Sequence, residues 1–468
     1  SLFLIYPGFR FQSAAVAFNG NLLHLVLILL SILLMVYSLT NNSKRSLFVC
    51  SSVGTGFLSM MLNEYHLGYE LFRPVAIWYF INSPTLSFRR NIVRVIRAWT
   101  PFALMLGAYF LYRVLLGSIE RTEVDPAHFF SMIEKDWYRF FVSRIGLVFP
   151  NLIEGTFLSW LQAFSAGGHK TGAIYGLFGL PIGMVTGLLW YLYTRPNPQP
   201  SGFWSLDLED QRGQKLLLLG LILFFLGALP LWFAGISASI YDAHGRFTFS
   251  VMLGCSVTLF AFIKLVITKP RFQVVIVSLF IVLGVAIQIE AQNDFRRSWS
   301  HSRSFFSQLQ LRAPALEEGT ILIVDAKVPS WDSTTISEHD LSIPLNILYA
   351  GDQNPSNLRY WAIPIGEVDN SRLDFLTGSP LLTPIEVKTR NQYFSGQIGQ
   401  HIVLSFSPPG CLRVLEPFHF SGLVHNILTQ RVNDSRPSVI GKRANIKNDH
   451  MRDINGELGW CHYFQLAE

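Results

Sequence analysis

Charged side chains are scarce in this chain. Asp, Glu, Lys and Arg make up 15% of its 468 residues, whereas an average soluble domain has roughly 25%. Hydrophobic residues make up 50%, and their excess is concentrated before residue 292. This composition excludes a single soluble globular domain. It predicts an α-helical transmembrane domain over 1–291 and a soluble domain over 292–468.

Sequence motifs of common soluble enzymes are absent. The chain has no P-loop, no GxSxG and no HxxxH zinc spacing, and no GxGxxG lies between a strand and a helix. Its twelve histidines are scattered along the sequence. No soluble-enzyme class is therefore indicated, and the need for a divalent metal ion as cofactor stays open.

Cysteine is rare as well, with four residues in the chain. Cys50 and Cys255 lie in apolar runs, where a thiol packs like a small hydrophobic side chain. Cys411 and Cys461 lie in the soluble part. If that part is outside the cytoplasm, the two can form a disulfide, which the spacing alone does not establish.

The net charge of +6 does not indicate a nucleic-acid partner. The basic residues stand in short loops beside apolar runs, as the positive-inside rule for membrane proteins predicts. We therefore expect membrane lipid, and no nucleic acid, around these residues.

Long apolar runs are what the sequence has in abundance. A bilayer core about 30 Å thick takes roughly 20 helical residues, and the run from Leu22 to Leu39 has about this length and no charge. Eight such runs predict eight spans, at 22–39, 46–62, 67–82, 98–116, 172–193, 215–235, 248–267 and 273–291. Residues 1–6 have the pattern of a helix end, so the chain is expected to be part of a longer protein.

The loops between these spans alternate in charge. Four loops rich in Lys and Arg fall on one side if the eight spans alternate, and the positive-inside rule assigns that side to the cytoplasm. They are 40–45, 83–97, 194–214 and 268–272. The opposite loops, and everything after residue 291, are then predicted to be extracytoplasmic.

The longest extracytoplasmic loop, 117–171, is expected to contain amphipathic helices. Asp125 and Pro126 form a good helix start, as N-cap and first helical residue. The segment 125–162 has aromatic residues at helical spacing among its charges. Such a helix either lies in the membrane interface or packs on the other spans.

The soluble part begins with a helical pattern over 292–311. A short apolar run at 320–325 predicts a buried strand. Further strand-like runs follow at 345–349, 359–363, 385–388 and 401–406. The pattern predicts a small α/β domain, and its polar end, 431–453, is expected to be loop or disordered.

Ionisable residues at a membrane span are costly and therefore indicate function. The first cluster of them, 63–73, lies at an exterior turn. Glu64 and His66 are at the turn itself, within reach of a substrate or a metal ion. Glu70 and Arg73 are three residues apart on a helix and can pair. The pair either holds helices together or lies along a substrate path.

A second cluster, 241–248, leads directly into a span. Arg246 stands near a helix start, where the helix dipole favours anions. Together with His244 it predicts an anionic ligand such as a lipid phosphate, and an arginine that reaches to lipid headgroups is the alternative. A third cluster, 6–12, is a helix break that carries an arginine.

The arrangement resembles the GT-C superfamily of polytopic membrane glycosyltransferases, which take sugars from polyprenyl-phosphate carriers. The helix break LIYPGF at 4–9 is similar to a proline turn of that family, and YDAHGRFTFS at 241–250 is similar to its His–Arg–aromatic element. A last span that leads into an exterior domain is also typical. The resemblance implies that His244 and Arg246 bind the carrier phosphate, with Glu64 and His66 as catalytic candidates on the acceptor side.

This chain departs from the family in two places. The family's catalytic acid lies in the first exterior loop, and no residue here matches it, so it is expected upstream of Ser1. Phe247 stands where the family has Tyr. The resemblance implies sugar transfer from the lipid-linked donor to an unidentified acceptor at the extracytoplasmic face of the cell membrane.

Two other functions stay open. A transporter or flippase would use Glu70, Arg73 and Arg113 as charges along a path, and such proteins often show repeated halves. No repeat is evident here, and the charges gather at one membrane face. A non-catalytic membrane scaffold would show a featureless exterior face and no cavity behind Arg246.

Overall fold

Two units make up the chain in the computed structural model, residues 1–293 and residues 294–468. Their boundary lies next to the one expected after residue 291. The structure describes residues 2–9, 15–41, 43–62, 66–82, 86–116, 126–165, 179–189, 212–234, 236–240, 247–326, 338–350, 357–364, 380–389, 392–407 and 410–415.

The first unit consists of helices joined by turns and irregular segments, and its described residues contain no strand. A 3₁₀ turn at Leu67–Leu71 precedes α3, and a π-helical turn at Glu154–Leu158 joins α5 to α6. The helices are α1 Ala15–Thr40, α2 Arg45–Leu62, α3 Phe72–Ile81, α4 Phe88–Leu116, α5 Pro126–Ile153, α6 Ser159–Ser165, α7 Gly179–Leu189, α8 Arg212–Phe233, α9 Met252–Val266 and α10 Pro270–Arg312.

Six helices in the described part of the chain are long and apolar enough to cross a membrane. Five of them cover predicted spans: Gly20–Thr40, Arg45–Leu62, Phe88–Arg113, Gly213–Phe233 and Pro270–Arg312. The other three predicted spans appear as the shorter helices α3, α7 and α9. The chain is thus mostly helical with several long apolar helices that could span a membrane, and the count of eight spans is not confirmed.

The sixth long helix lies in the predicted exterior loop. Helix α5 begins at Pro126, as the sequence predicts, and its backbone is kinked at Asp136. The stretch Asp136–Gln162 after the kink is long enough to span. Leu147 and Leu152, in the last part of this helix, pack against the main core of the first unit, whereas Trp137 and Phe141 of the predicted aromatic stripe are exposed. Both alternatives for this helix therefore stay open.

Small residues let helices α8 and α9 approach closely. A Cβ atom added at Gly254 would collide with the backbone of Phe224, and one added at Gly220 would collide with Thr258. Helices that span membranes associate through such small residues, because lipid provides no hydrophobic drive for their association. The crossing of α8 and α9 is therefore specified by two residues that carry no side chain.

The second unit contains a mostly parallel sheet. The strands are β1 Ile321–Ala326, β2 Asn357–Leu358, β3 Trp361–Pro364, β4 Pro384–Thr389, β5 Gln392–Gln397, β6 His401–Phe406 and β7 Arg413–Leu415. Strand β1 pairs in parallel with both β3 and β6, and β7 pairs antiparallel with β6. A second sheet has the order β2-β5-β4. The predicted strands at 320–325, 385–388 and 401–406 are confirmed.

One predicted strand, 345–349, is wrong. These residues belong to helix α11, Glu338–Ala350. Leu341, Leu345 and Leu348 recur at helical spacing, and all three are buried in one core cluster. The five residues 345–349 alone show an apolar run, and the helical spacing of the leucines is visible only over a longer segment. The helix connects β1 to β3, as a parallel strand pair requires.

Both faces of the larger sheet are covered. Leu322 and Val324 of β1 pack with Leu345 of α11 on one face. Ile321 and Ile323 pack on the other face with Phe394 of the smaller sheet. The side chains of β1 therefore enter two cores in alternation, which gives a layered α/β domain. A strand that is buried on both faces is expected to have a continuous apolar sequence, as 320–325 does.

Candidate functional site around Phe249

The link between α8 and α9 lies along helices α5 and α6. The side-chain Oδ1 of Asn151 accepts hydrogen bonds from the Ala238 amide (3.0 Å) and the Trp232 indole (3.2 Å). Asn151 belongs to α5; in α6, the Gln162 side chain donates to the Ile240 carbonyl (3.3 Å). Ile240 and Phe247, which flank the segment 241–246, are both buried. The chain therefore leaves the core at Ile240 and is again in the core at Phe247.

Phe249 is the centre at which distant parts of the chain meet. Its fully buried ring lies 4.9 Å from that of Phe9 and 4.8 Å from that of His66, measured between centroids. Beside it, the Thr248 hydroxyl donates to the Gly8 carbonyl (2.7 Å). The Tyr69 hydroxyl donates to the carbonyl of the residue after Phe249 (2.7 Å). We call residues 6–9, 66–69 and 247–250 the Phe249 junction.

The junction unites the three clusters found in the sequence. Gly8 of 6–12 contacts Thr248 of 241–248 directly, although the two are 240 positions apart. His66 and Tyr69 of 63–73 contact the next two residues, Phe249 and Ser250. Two further elements join them. The Tyr6 hydroxyl donates to the Gly155 carbonyl (2.8 Å), and the Gln288 amide of α10 donates to the Tyr6 carbonyl (2.9 Å).

His66 is buried, contrary to the expectation that a ligand reaches it at the turn. Its side chain is 0% exposed, and its ring lies 4.6 Å from that of His24, centroid to centroid. His24 Nδ1 donates to the Ser59 carbonyl (2.7 Å). His24 Nε2 and both ring nitrogens of His66 have no hydrogen-bond partner of standard geometry.

Sequence reasoning missed His24, although an ionisable residue in an apolar run was the available signal. The two imidazoles face each other from α1 and from the turn before α3. No group of three or more His, Cys, Asp or Glu side chains in the described ranges is placed to hold a metal ion. A metal ion at this histidine pair would need ligands beyond the two rings.

Glu70 and Arg73 form the ion pair that their spacing predicts. Arg73 Nε and Nη2 donate to the two oxygens of the Glu70 carboxylate at 2.5 Å and 2.8 Å. Nη2 also donates to the Ser31 hydroxyl (2.7 Å), and Nη1 contacts that of Ser52 (3.4 Å). The guanidinium lies 4.5 Å from the centre of the Phe102 ring. Arg73 is fully buried and ties α1, α2 and α4 to α3.

Glu154 is the second residue that sequence reasoning missed. It opens the π-helical turn between α5 and α6, and such turns are frequent at functional sites. Its carboxylate accepts a hydrogen bond from the Ser239 hydroxyl (3.1 Å), two residues before the segment 241–246. The side chain is only partly buried. A carboxylate therefore lies at the entrance to the segment that carries His244 and Arg246.

Several predicted residues lie outside the described part of the chain. Glu64, His244 and Arg246 are among them, and so are Arg10 and the polar end at 431–453. Their predicted roles stay predictions. Cys411 is disulfide-bonded, whereas Cys50 and Cys255 are free thiols. Its expected partner, Cys461, also lies outside the described residues.

No protein-family model, curated protein or solved structure matches this chain. Function therefore has to be inferred from the chemistry of the Phe249 junction and its surroundings. That chemistry consists of a buried histidine pair, a buried ion pair and a partly buried carboxylate. The segment 241–246, whose sequence contains a histidine and an arginine, lies in the chain between the buried residues Ile240 and Phe247.

Proposed function

We propose that this protein is a GT-C-like membrane glycosyltransferase that moves a sugar from a polyprenyl-phosphate carrier to an acceptor. The observation that supports the proposal is the convergence at the Phe249 junction. Three segments with candidate chemistry, distant in the sequence, meet at one place. A structural membrane scaffold has no need to bring those three segments together, whereas an active site does.

The segment 241–246 supplies the carrier-phosphate site in this proposal. Arg246 forms charge-assisted hydrogen bonds to the phosphate, and His244 adds a second donor. The phosphate gains negative charge as the sugar leaves, so donors placed beforehand stabilise the transition state. Burial of Ile240 and Phe247 supports this role, because it fixes the positions of the residues on either side of the segment.

Glu154 supplies the carboxylate that the reaction needs. The acceptor hydroxyl has to lose a proton as it attacks the sugar carbon, and a carboxylate within hydrogen-bond reach can take that proton. Among the described residues, Glu154 accepts a hydrogen bond from Ser239, which belongs to the link between α8 and α9 whose sequence includes Arg246. Glu70 is not suited to this task because Arg73 occupies both of its oxygens.

The reaction takes place outside the cytoplasm in this proposal. The alternation of basic loops puts 241–246 and the second unit on the same side. The disulfide at Cys411 supports that assignment, because disulfides persist in oxidising compartments. Arg73 gives no support to a transporter path, since its guanidinium is fully buried and four of its five N–H groups donate to Glu70, Ser31 and Ser52.

The test is sugar transfer from a polyprenyl-phosphate donor by the full-length protein in liposomes. Arg246→Ala and Glu154→Gln should each lower the rate by roughly a hundredfold or more, the usual effect of losing an oxyanion donor or a general base. Arg271→Ala, at an exposed position at the start of α10, is the matched control and should keep the wild-type rate.

An unchanged rate in Arg246→Ala would overturn the phosphate role. Flux of a sugar or lipid substrate across liposomes that contain no lipid-linked donor would instead identify a transporter.

A further inference from the structure

An apolar groove runs between helices α5 and α8. Its volume is about 140 Å³, and one side of it is open. Phe140, Phe141 and Val148 of α5 line it together with Leu229 and Trp232 of α8. Both helices are long and apolar enough to span a membrane, so the open side faces lipid if they do.

Arg144 is the one charged side chain in the wall of this groove. Its guanidinium lies 4.9 Å from the centre of the Phe140 ring. Its Nε is buried and has no hydrogen-bond partner, and no carboxylate of the described residues pairs with it. A charge in this position is costly without an anion.

The position of the groove along α8 indicates the headgroup region of a bilayer. It covers the last turns of α8, from Phe225 to Phe233, and Trp232 is in its wall. Tryptophan and other aromatic residues concentrate where acyl chains meet headgroups. A cation at that depth is within reach of lipid phosphates.

We propose that the groove binds an anionic glycerophospholipid of the surrounding bilayer. Arg144 donates to the lipid phosphate, and one acyl chain lies against Val148 and Leu229. A guanidinium matches phosphate in geometry and charge, and the apolar lining matches the chain. Zwitterionic lipid fits less well, because its own ammonium group competes for the phosphate and repels Arg144.

This site is separate from the proposed sugar-transfer chemistry, but one residue connects the two. Trp232 lines the groove and donates to Asn151, the residue that also holds Ala238 in the link to Phe249. Bound lipid would therefore stabilise the helix that supports the Phe249 junction. This consequence does not depend on the reaction that takes place there.

The test is native mass spectrometry of the delipidated full-length protein with phosphatidylglycerol or phosphatidylcholine. The wild type should retain phosphatidylglycerol at a concentration about tenfold lower than phosphatidylcholine. Arg144→Gln should bind phosphatidylglycerol about tenfold more weakly and lose the preference, as expected for loss of a charged hydrogen-bond donor. Arg139→Gln, an exposed arginine on the same helix, is the matched control and should bind like the wild type.

A second variant tests the acyl chain. Leu229→Trp fills the groove and leaves the charge of Arg144 in place, so it should weaken phosphatidylglycerol binding to a similar degree. If Arg144→Gln does not fold, Leu229→Trp still tests the proposed lipid site. The proposal is wrong if neither folded variant changes phosphatidylglycerol binding, or if both lipids bind equally to the wild type. Displacement of phosphatidylglycerol by polyprenyl phosphate would assign the groove to the carrier and would also overturn it.

Discussion

Arg73 shows how a single residue can hold a membrane protein together. Its guanidinium satisfies Glu70, Ser31 and Ser52 while it lies against Phe102. A charge buried in a membrane protein is tolerated only when it is paired in this way. The loss of one partner would leave the other charge buried and unpaired, which is the costly change.

Replacement of Arg73 by Leu should destabilise the protein strongly. The carboxylate of Glu70 would stay buried without a counter-charge, which costs about 3–5 kcal/mol of unfolding free energy. The double variant Glu70→Leu with Arg73→Leu should recover much of that loss, because no charge is left unpaired. Thermal unfolding in detergent measures both. Arg90→Leu, an exposed position in α4, is the control and should stay near wild type.

This prediction has a clear contrary result. If Arg73→Leu unfolds at the wild-type temperature, the ion pair does not hold the helices together. Arg73 would then have to be tested as a substrate contact.

Residue spacing predicts some contacts well and others not at all. The three-residue interval between Glu70 and Arg73 was enough to predict their pairing, because helical neighbours at that distance share a face. The burial of His66 could not be predicted, since it depends on Phe249 and His24, which come from remote parts of the chain. Glu154 was passed over because a π-helical turn has no sequence signature of its own.

Glycine contacts specify the crossing of two neighbouring helices. Gly254 of α9 lies against the backbone of Phe224 in α8, and backbone atoms cannot move aside as a flexible side chain can. Gly107 of α4, in contrast, has open space around it. The two glycines provide a matched pair within one protein.

Gly254→Ala should lower the unfolding free energy by about 1–3 kcal/mol, the usual cost of overpacking a core. Gly107→Ala should be neutral or should stabilise by up to about 1 kcal/mol, because alanine favours a helix more than glycine does. Thermal unfolding of both variants in the same detergent measures the difference. Equal unfolding temperatures would show that α8 and α9 can move apart at little cost.

Helices and strands were predictable to different degrees for physical reasons. Strand β1 was predictable because both of its faces are buried, which produces a continuous apolar run. The sequence predicts a strand within α11 because a short stretch of residues does not show the helical spacing of its leucines. The 3₁₀ turn before α3 could not be anticipated, since local composition does not decide whether an apolar segment is one long helix or two short ones.

The pattern of basic loops predicts the side of the membrane on which each part of the molecule lies. That pattern predicts that the second unit is outside the cytoplasm, and a disulfide at Cys411 is compatible with this prediction. We therefore expect protease added to intact cells to cleave the second unit and to leave the basic loops near Lys44 and Lys269 uncut. A tag after residue 468, followed by immunoblotting, measures the cleavage.

Opened cells are the control for this experiment, and both sides should be cut in them. Protection of the tag in intact cells, with cleavage only after opening, would place the second unit in the cytoplasm. The proposed site of sugar transfer would then face the wrong compartment for a lipid-linked donor presented outside.

The buried position of Phe247 bears on the route by which the proposed lipid-linked donor approaches the protein. Phe247 belongs to the main core of the first unit, and Arg246 is its chain neighbour, at a Cα separation of about 3.8 Å. Under the proposed function, the lipid-linked donor would reach this part of the chain by lateral diffusion in the plane of the bilayer. The frequency of encounter then follows the number of ligand molecules per unit of membrane area. Dilution into excess micelles removes that surface density, and turnover measured there should fall even when the protein itself is intact.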